Sequence, residues 1–314
     1  MTRVAAIDCG TNSIRLLIAD VSRSRGELVD IERRMEIVRL GQGVDKTGEI
    51  APEAMERTLD AARRYAGLCH QHEVHSIRFV ATSATRDARN RKIFVDGVRE
   101  ALGVEPEVIP GAEEAELSFT GATGGLPGGH DAPFLVVDLG GGSTEFVLGE
   151  KTVDSAISVN IGCVRLTERH LRSDPPTASE VAAATADIDA ALAQVAEKVA
   201  LEDARTLVGV AGSITTVTAH ALGLSAYDPG AIHGATLSLD QVAKACTELI
   251  EMPRAQRAQL PFMHPGRVDV IGAGALVWRR IIERMGATGR IGHQVTSEHD
   301  ILDGMAWGLA WSKR

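Results

Sequence analysis

Residues 4–13 of this chain read VAAIDCGTNS, and residues 134–143 read FLVVDLGGGS. Each stretch is a short apolar strand that ends in an aspartate and enters a turn of the pattern D-x-G-x-x-S. A second apolar run follows each turn, Ile14 to Ala19 in the first half and Phe146 to Leu148 in the second. We interpret the two stretches as a duplicated β-hairpin, with one copy in each half of the chain.

The turn after each aspartate has a composition that suits phosphate. Glycines let backbone N–H groups approach an anion, hydroxyls add donors, and an aspartate can hold a cation that bridges phosphate oxygens. The alternative is two β-turns that are glycine-rich by coincidence, and their matching pattern weighs against it. The sequence contains no Gly-Lys dipeptide, so neither turn is a Walker A loop, and neither reads G-x-G-x-x-G as in the Rossmann fingerprint.

Composition limits the classes of function. The chain has 314 residues, of which 44% are apolar and only 4% aromatic, enough for two domains with aliphatic cores. The formal net charge of −9 makes the chain a poor coat for nucleic acid. A polyanionic substrate would therefore have to meet a local basic site or a metal rather than the global field.

The cysteines and the apolar runs bear on the compartment. The four cysteines contain no C-x-x-C and match no zinc spacing, and scattered single cysteines favour a reducing compartment. The sequence enters a strand directly, without a leader, and no apolar run reaches the roughly 18 residues of a membrane span. We expect a cytoplasmic protein with neither a membrane nor a nucleic-acid partner.

Strand patterns alternate with helix patterns, which predicts an α/β fold. The glycine-rich stretch 121–133 is the best linker, so we predict domains over 1–124 and 125–314, with a last helix over about 301–311 that can pack back on the first domain. Thr177 and Glu180 form a capping-box pattern at a helix start. The main predicted helices are 52–70, 92–102, 113–120, 177–200, 239–251, 272–285 and 301–311, and the predicted strands include 76–81, 104–109, 206–210 and 294–296.

Two further strand exits carry polar residues. At the first, Gly212 and Ser213 lie between a strand and a helix, where free N–H groups and the helix dipole bind anions, although ordinary capping by Ser213 explains the residues equally well. At the second, the loop 81–90 carries Arg86, which could clamp a phosphate through two donors. On spacing alone, a solvated Arg86 paired with Asp87 is the better interpretation.

Acidic residues cluster at 113–116, near a predicted helix start. Acids gain from the helix dipole there, so a structural role is natural, whereas a functional role needs one carboxylate to act as a general base. Neighbouring helical residues point about 100° apart, so Glu113 and Glu114 cannot both do that. The histidines are scattered, and we assign none of them a role.

Taken together, these motifs resemble the exopolyphosphatase / guanosine pentaphosphate phosphatase family, and most closely its short, two-domain actinobacterial type. The similarity is collinear from Arg3 to the last predicted helix, and its motifs are specific in combination. The segments that carry it are residues 6–13, 81–90, 111–115, 137–145, 161–164 and 209–215.

The resemblance implies an actin-like, sugar-kinase-like fold of two duplicated α/β domains with a phosphate cleft between them. It implies that Glu114 activates water, that Arg86 contacts substrate phosphates, and that Asp138 helps to hold Mg²⁺ (or Mn²⁺). Asp8, at the equivalent strand end, is the second candidate metal ligand. The expected phosphate-binding residues are Gly10, Thr11, Asn12, Ser13, Gly140, Gly141, Gly142, Ser143, Thr144, Gly212 and Ser213.

The function expected is metal-assisted hydrolysis of the terminal phosphoanhydride bond of inorganic polyphosphate, preferentially short chains. Alternatives are a guanosine pentaphosphate 5′-phosphatase, a non-catalytic sensor of (p)ppGpp or another nucleotide, and a sugar kinase, since fold alone does not fix function. Longer members carry an additional C-terminal helical region, whereas this sequence stops at Arg314, so (p)ppGpp as substrate or inhibitor is an open expectation. We also expect a homodimer.

Overall fold

The computed structural model describes residues 1–22 and 24–311. The chain divides into two compact units, Met1–Gly121 together with the segment that begins at Ile301, and Ala122–Asp300. The glycine-rich stretch predicts a division after residue 124. In the structure the last helix is grouped with the first unit.

The first unit contains a mixed sheet. Its strands, within the described residues, are β1 (Thr2–Cys9), β2 (Ser13–Ser22), β3 (Glu27–Ile37), β4 (Ser76–Ala81) and β5 (Glu107–Val108). They lie in the order β3-β2-β1-β4-β5. The first three form the antiparallel meander that the duplicated hairpin predicted, and β4 and β5 continue parallel to β1.

Helices connect the parallel strands of this unit. They are α1 (Val44–Thr47), α2 (Pro52–Gln71), α3 (Ser83–Asp87), α4 (Arg91–Leu102) and α5 (Gly111–Gly124), of which residues 122–124 are grouped with the second unit. Helix α2 begins at Pro52, where the missing N–H costs nothing, and buries one face that includes Met55 and Tyr65. Gly103, in the left-handed region at φ 69°, ends α4.

The second unit repeats the plan. Its strands are β6 (Phe134–Leu139), β7 (Thr144–Gly149), β8 (Val153–Val159), β9 (Thr206–Val210), β10 (Thr236–Ser238) and β11 (His293–Thr296), in the order β10-β11-β9-β6-β7-β8. Again an antiparallel meander comes first, and the next two strands, β9 and β11, run parallel to β6. Strand β10 is added at the edge, antiparallel to β11. Its position at the sheet edge leaves the repeated five-strand order intact.

The remaining helices follow the second meander. They are α6 (Cys163–Arg169), α7 (Ala178–Lys198), α8 (Ala211–Ala221), α9 (Pro229–Ile232), α10 (Leu239–Glu251), α11 (Arg254–Arg257), α12 (Ile271–Gly286) and α13 (Ile301–Trp311), with short 3₁₀ turns at Leu201–Asp203 and Pro265–Arg267. The capping box predicted for α7 is present, with Thr177 and Glu180 bonded reciprocally. Helix α13 packs on β1, β2 and β4 of the first unit.

The two sheets therefore share five strands in the same order and the same directions, which confirms the predicted duplicated α/β fold. Asp8 on β1 stands beside Val80 on the parallel strand β4, and Asp138 on β6 stands beside Val210 on β9. In each unit the carboxyl ends of neighbouring parallel strands consequently lie at one edge. That edge is where open α/β sheets bind ligands.

Each unit has its own aliphatic core. In the core of the second unit, one face of β6, including Leu135 and Val137, packs with residues of α7, α10 and α12. This core contains the fully buried Trp278. In the first unit, alternate β1 residues serve two clusters, Ile7 facing α2 and Ala6 facing α13. Strict alternation along β1 is thus the reason why both of its faces are apolar.

Several local predictions were wrong. Helix α5 runs four residues into the predicted linker, because Phe119 and Ala122 are buried and packing overrides the low helix propensity of glycine. The predicted loop 81–90 contains helix α3, whose first residues are buried in the same way. Strand β5 has only two residues, against the predicted 104–109, and α6 was not predicted at all.

Candidate active site

Three consecutive strand exits meet at the carboxyl edge of the first sheet. Strand β1 exits through the turn Gly10–Ser13, β4 through Thr82 into α3, and β5 through Ile109 into α5. Backbone hydrogen bonds join the exits, from the Thr82 N–H to the Cys9 carbonyl at 3.1 Å and from the Ile109 N–H to the Ala81 carbonyl at 3.2 Å. The segments predicted to carry Arg86 and Glu114 are thereby brought to one place.

Arg86 and Glu114 form an ion pair, with 2.6 Å between Nη1 of Arg86 and Oε2 of Glu114. The same Nη1 donates to the Ile109 carbonyl at 3.0 Å, and the Glu114 side chain is only 12% exposed. No partner within the described part of the chain is seen for Nε or Nη2 of Arg86. The guanidinium is therefore anchored by one nitrogen and can offer the other two to an anion.

Glu113 is held elsewhere, as the angular argument for adjacent helical residues requires. Its Oε1 accepts from Nη2 of Arg78 at 2.6 Å, and Arg78 also pairs with Glu107. Glu113 is more exposed than Glu114, at 39% of its side chain. Of the two acids, the structure places only Glu114 beside Arg86.

The turn Gly10–Ser13 has the form of an anion-binding turn. Its carbonyls are occupied by donors from the segment after β3: Gly41 donates to Thr11 at 2.8 Å, and Val38 and Arg39 donate to Asn12 at 3.0 and 2.8 Å. Thr11 is buried, and its Oγ1 has no hydrogen-bond partner among the described residues. A buried hydroxyl without a partner is costly, so a ligand oxygen at this turn would satisfy it.

The turn Gly140–Ser143 occupies the same place in the second unit, but its side chains are already engaged. Ser143 donates its hydroxyl to Glu145 at 2.7 Å, and Thr144 donates to the Ile161 carbonyl at 3.0 Å. Both side chains are buried. The groups that this turn can offer to phosphate are consequently backbone N–H groups rather than the predicted hydroxyls.

The start of α8 lies beside that turn, since β9 pairs with β6. Ala211 has a φ of 71°, a left-handed conformation that non-glycine residues rarely adopt and that concentrates at functional sites. Gly212 packs against an arginine: a Cβ there would lie 2.4 Å from Cζ of Arg267. Burial raises the pKa of the Cys163 thiol, and a hydrogen bond with Ser213 together with the Arg267 charge offsets part of that shift.

Arg267 is a residue that the sequence analysis missed. Its Nη1 lies 3.4 Å from Thr216 Oγ1, and it forms no salt bridge within the described chain. A half-buried guanidinium and the positive end of an eleven-residue helix stand together, and such a pair favours an anion. Its position in a 3₁₀ turn, far along the sequence from any glycine motif, gave no signal of this.

The two copies differ at their aspartates. Across the β1–β2 pair, Asp8 faces Arg15, and Oδ2 of Asp8 accepts from Nη2 of Arg15 at 2.6 Å. Across the β6–β7 pair, Asp138 faces Glu145 instead, and both of these acids are buried. Oppositely placed residues have Cβ atoms about 5 Å apart, so the second copy places two acidic side chains side by side where the first places an acid beside an arginine.

The donor chemistry at Asp138 fits a hard divalent cation. The described residues contain no group of three or more His, Cys, Asp or Glu side chains that could hold a metal. Mg²⁺ is commonly held by one or two carboxylates and by substrate phosphates, so two acids suffice. The salt bridge between Asp8 and Arg15 weighs against the predicted metal role of Asp8, which stays a prediction.

No described helix combines the length and the apolar character that crossing a membrane requires.

This is an α/β protein with sites that suit phosphate groups. Those sites are the two glycine turns, the helix start beside Arg267, and the pair of Arg86 and Glu114. The model of the Ppx/GppA phosphatase family matches residues 17–307. The chain belongs to this family, which confirms the resemblance read from the motifs.

Individual relatives agree with that assignment. Over 317 residues the chain is 53% identical to "Exopolyphosphatase 2" of Mycobacterium tuberculosis, with 99% of each chain covered. A crystal structure of an "exopolyphosphatase-like protein" superposes with a TM-score of 0.94 at 46% identity, covering 98% of both chains. A "Guanosine-5'-triphosphate,3'-diphosphate pyrophosphatase" of Photobacterium profundum is 35% identical over 212 residues, which cover 67% of this chain and 42% of that protein.

Proposed function

We propose that this chain is an exopolyphosphatase, which hydrolyses the terminal phosphoanhydride bond of inorganic polyphosphate. The observation that carries the proposal is the contact between Arg86 and Glu114 at the carboxyl edge of the first sheet. It joins a carboxylate that can accept a proton to a guanidinium with two unused donors. Family membership and the relative named Exopolyphosphatase 2 support the same activity.

Glu114 is the proposed general base. A neighbouring guanidinium favours the ionised carboxylate, which is the form that takes a proton from water. Arg86 keeps Glu114 in place through Nη1, while Nε and Nη2 bind phosphate oxygens as a fork. Water oriented by Glu114 attacks the terminal phosphorus in line with the leaving oxygen.

The second unit has its own proposed binding groups for phosphate oxygens. These are the backbone N–H groups of the Gly140–Ser143 turn, the start of α8 at Gly212 and Ser213, and the guanidinium of Arg267. A divalent cation held by Asp138 and Glu145 would neutralise negative charge on the phosphate oxygens. The first-unit turn Gly10–Ser13, with the unsatisfied hydroxyl of Thr11, is proposed to bind phosphate as well.

The guanosine pentaphosphate 5′-phosphatase activity is the second candidate, because its substrate also ends in a phosphoanhydride bond. The relative with a guanosine name is less similar and aligns with a smaller share of both chains. Polyphosphate is therefore the preferred substrate in this proposal. The homodimer and the cytoplasmic location stay predictions.

The decisive variant is Glu114→Gln, with Glu113→Gln as its matched control on the same helix. Loss of a general base costs about 10²–10⁴ in rate, so we expect such a loss in phosphate release from polyphosphate for Glu114→Gln, with an unchanged melting temperature. Glu113→Gln should release phosphate at the wild-type rate. The reverse pattern would show that the base has been misassigned.

A further inference from the structure

The three carbonyls of the turn Gly140–Gly142 are all held from one side. Their donors belong to the segment that enters α6, starting at Gly162. The hydrogen bonds run from Cys163 N to Gly140 O at 3.0 Å, from Val164 N and Arg165 N to Gly141 O at 2.9 and 3.1 Å, from Gly162 N to Gly142 O at 3.3 Å, and from Arg165 Nε to Gly142 O at 2.7 Å. The N–H groups at the start of α6, which have no partner within the helix, thus donate to the carbonyls of residues 140–142.

The positions of these carbonyls also fix the direction of the N–H groups in the same turn. In a planar trans peptide the C=O of one residue points away from the N–H of the next. The described cis bonds lie elsewhere, before Pro133 and Pro175. With its carbonyls held by α6, the turn must direct the N–H groups of Gly141, Gly142 and Ser143 away from α6. None of these three has an acceptor within the described chain.

Arg165 contributes the one side-chain donor to this set, and it makes the shortest of the bonds. The side chain is buried, with the residue only 8% exposed, so the guanidinium has little freedom to leave. Gly162 packs so closely that a Cβ there would lie 2.3 Å from the Gly141 carbonyl carbon. The approach of α6 to the turn is therefore tight, and Arg165 Nε fixes the last of the three peptides.

The first-unit copy shows that the arrangement is repeated but built differently. There, within residues 1–22 and 24–311, the carbonyls of Thr11 and Asn12 accept only backbone N–H groups, from Val38, Arg39 and Gly41. The corresponding carbonyl in the second copy, that of Gly142, has one backbone and one side-chain donor. The second turn, which has two more glycines and hence a freer backbone, is the one that uses an arginine.

We infer that Arg165 is a positioning residue for the proposed hydrolysis, on which this role rests. It holds the Gly142 carbonyl so that the Ser143 N–H, together with those of Gly141 and Gly142, is presented to a phosphate oxygen. Arg165 acts through the turn and does not touch the substrate. Arg165 has a further interaction in the chain besides the Nε bond, so the part of its effect that belongs to this role is the part that follows the donor at Nε.

Two substitutions separate the donor from the charge. Glutamine attaches a nitrogen to Cδ, as arginine does, so Arg165→Gln keeps a donor near the Nε position without the charge. Arg165→Lys keeps the charge but has a methylene there. Arg169 lies on the same helix and pairs with Asp187, so Arg169→Gln is the control.

We expect Arg165→Lys to lose about 10- to 100-fold in kcat for phosphate release from polyphosphate, somewhat less than the loss of a whole oxyanion donor. Arg165→Gln should stay within about fivefold of wild type, and Arg169→Gln should match wild type. Rates are normalised to the folded fraction by circular dichroism. A kcat that follows the charge, with lysine active and glutamine inactive, would overturn the role, as would three equal variants.

Calorimetric binding of inorganic triphosphate separates this role from the proposed activity. If wild type binds triphosphate but releases no phosphate from polyphosphate, the proposed activity is wrong. Even then, binding of triphosphate that is at least tenfold weaker to Arg165→Lys than to Arg165→Gln would support the positioning role of Arg165. If wild type binds no triphosphate, or both variants bind it equally, the positioning role is wrong.

Discussion

Arg86 uses different atoms for two tasks. Nη1 holds Glu114 and the Ile109 carbonyl, while Nε and Nη2 are available to an anion. A lysine has a single nitrogen, so it cannot hold Glu114 and at the same time present a planar two-nitrogen fork to phosphate. Side-chain identity at this position should therefore matter more than charge.

We accordingly expect Arg86→Lys to lose most of the phosphate-release activity, at least about tenfold in kcat/KM. Arg91→Lys is the control, because Arg91 is exposed and, among the described residues, its guanidinium donates only to the Arg86 carbonyl. Steady-state kinetics of both variants on polyphosphate decide the matter. Wild-type kinetics for Arg86→Lys would contradict phosphate binding by Arg86 and would leave it a structural role only.

The aspartates of the two copies should behave differently toward metal. Asp138 faces Glu145, whereas the carboxylate of Asp8 is bonded to Arg15. We expect a chelator to abolish activity, Mg²⁺ to restore it, and Asp138→Asn to require more Mg²⁺ or to stay inactive. Asp8→Asn tests the metal role predicted for Asp8 from the sequence: its salt bridge with Arg15 leads us to expect an unchanged Mg²⁺ requirement, and an increased requirement would support that role. Full activity in chelator would contradict this assignment, and titration of Mg²⁺ against rate measures it.

At the scale of elements, α7 offers a test through pH. Glu180 accepts hydrogen bonds from the backbone N–H groups of Thr177, Ser173 and Arg172, which lower its pKa from 4.5 to about 2. Because the folded-state pKa is depressed, the ionised carboxylate stabilises the fold above about pH 4.5. That contribution fades as the pH falls toward about 2.

Glu180→Gln should thus lower the free energy of unfolding at pH 7, and the difference from wild type should shrink below about pH 4.5. Urea unfolding at pH 7, 5, 4 and 3 measures it. Glu197→Gln, an exposed acid near the other end of α7, is the control and should show little change. A difference that grows on acidification would be the wrong sign.

The elements also show what the sequence could and could not predict. The duplicated hairpins, the capping box of α7 and the bounds of β9 and α10 follow from local periodicity and cap residues. Helices α3 and α6 are short and held by tertiary contacts, so no periodic pattern marks them. Arg165 and Arg267 were missed for the same reason, since each acquires its partner through the fold.

At the scale of the whole molecule, the charge distribution limits how much polyphosphate the chain can hold. The net charge is −9, and two of the basic residues that follow Arg86 in the sequence are paired with acids. Arg89 pairs with Glu49 at 3.3 Å, and Lys92 pairs with Asp96 at 2.6 Å. Screening limits each remaining charge to a reach of about 10 Å. We therefore expect only a few phosphates to be held beside the scissile bond.

Phosphate release from short polyphosphate, long polyphosphate and guanosine pentaphosphate, measured side by side with Mg²⁺, tests the central claim most directly. We expect the highest kcat/KM on short polyphosphate, with intermediate lengths visible on a gel during digestion of long chains, and slower turnover of the nucleotide. A clear preference for guanosine pentaphosphate, or no phosphate release from any polyphosphate, would contradict it.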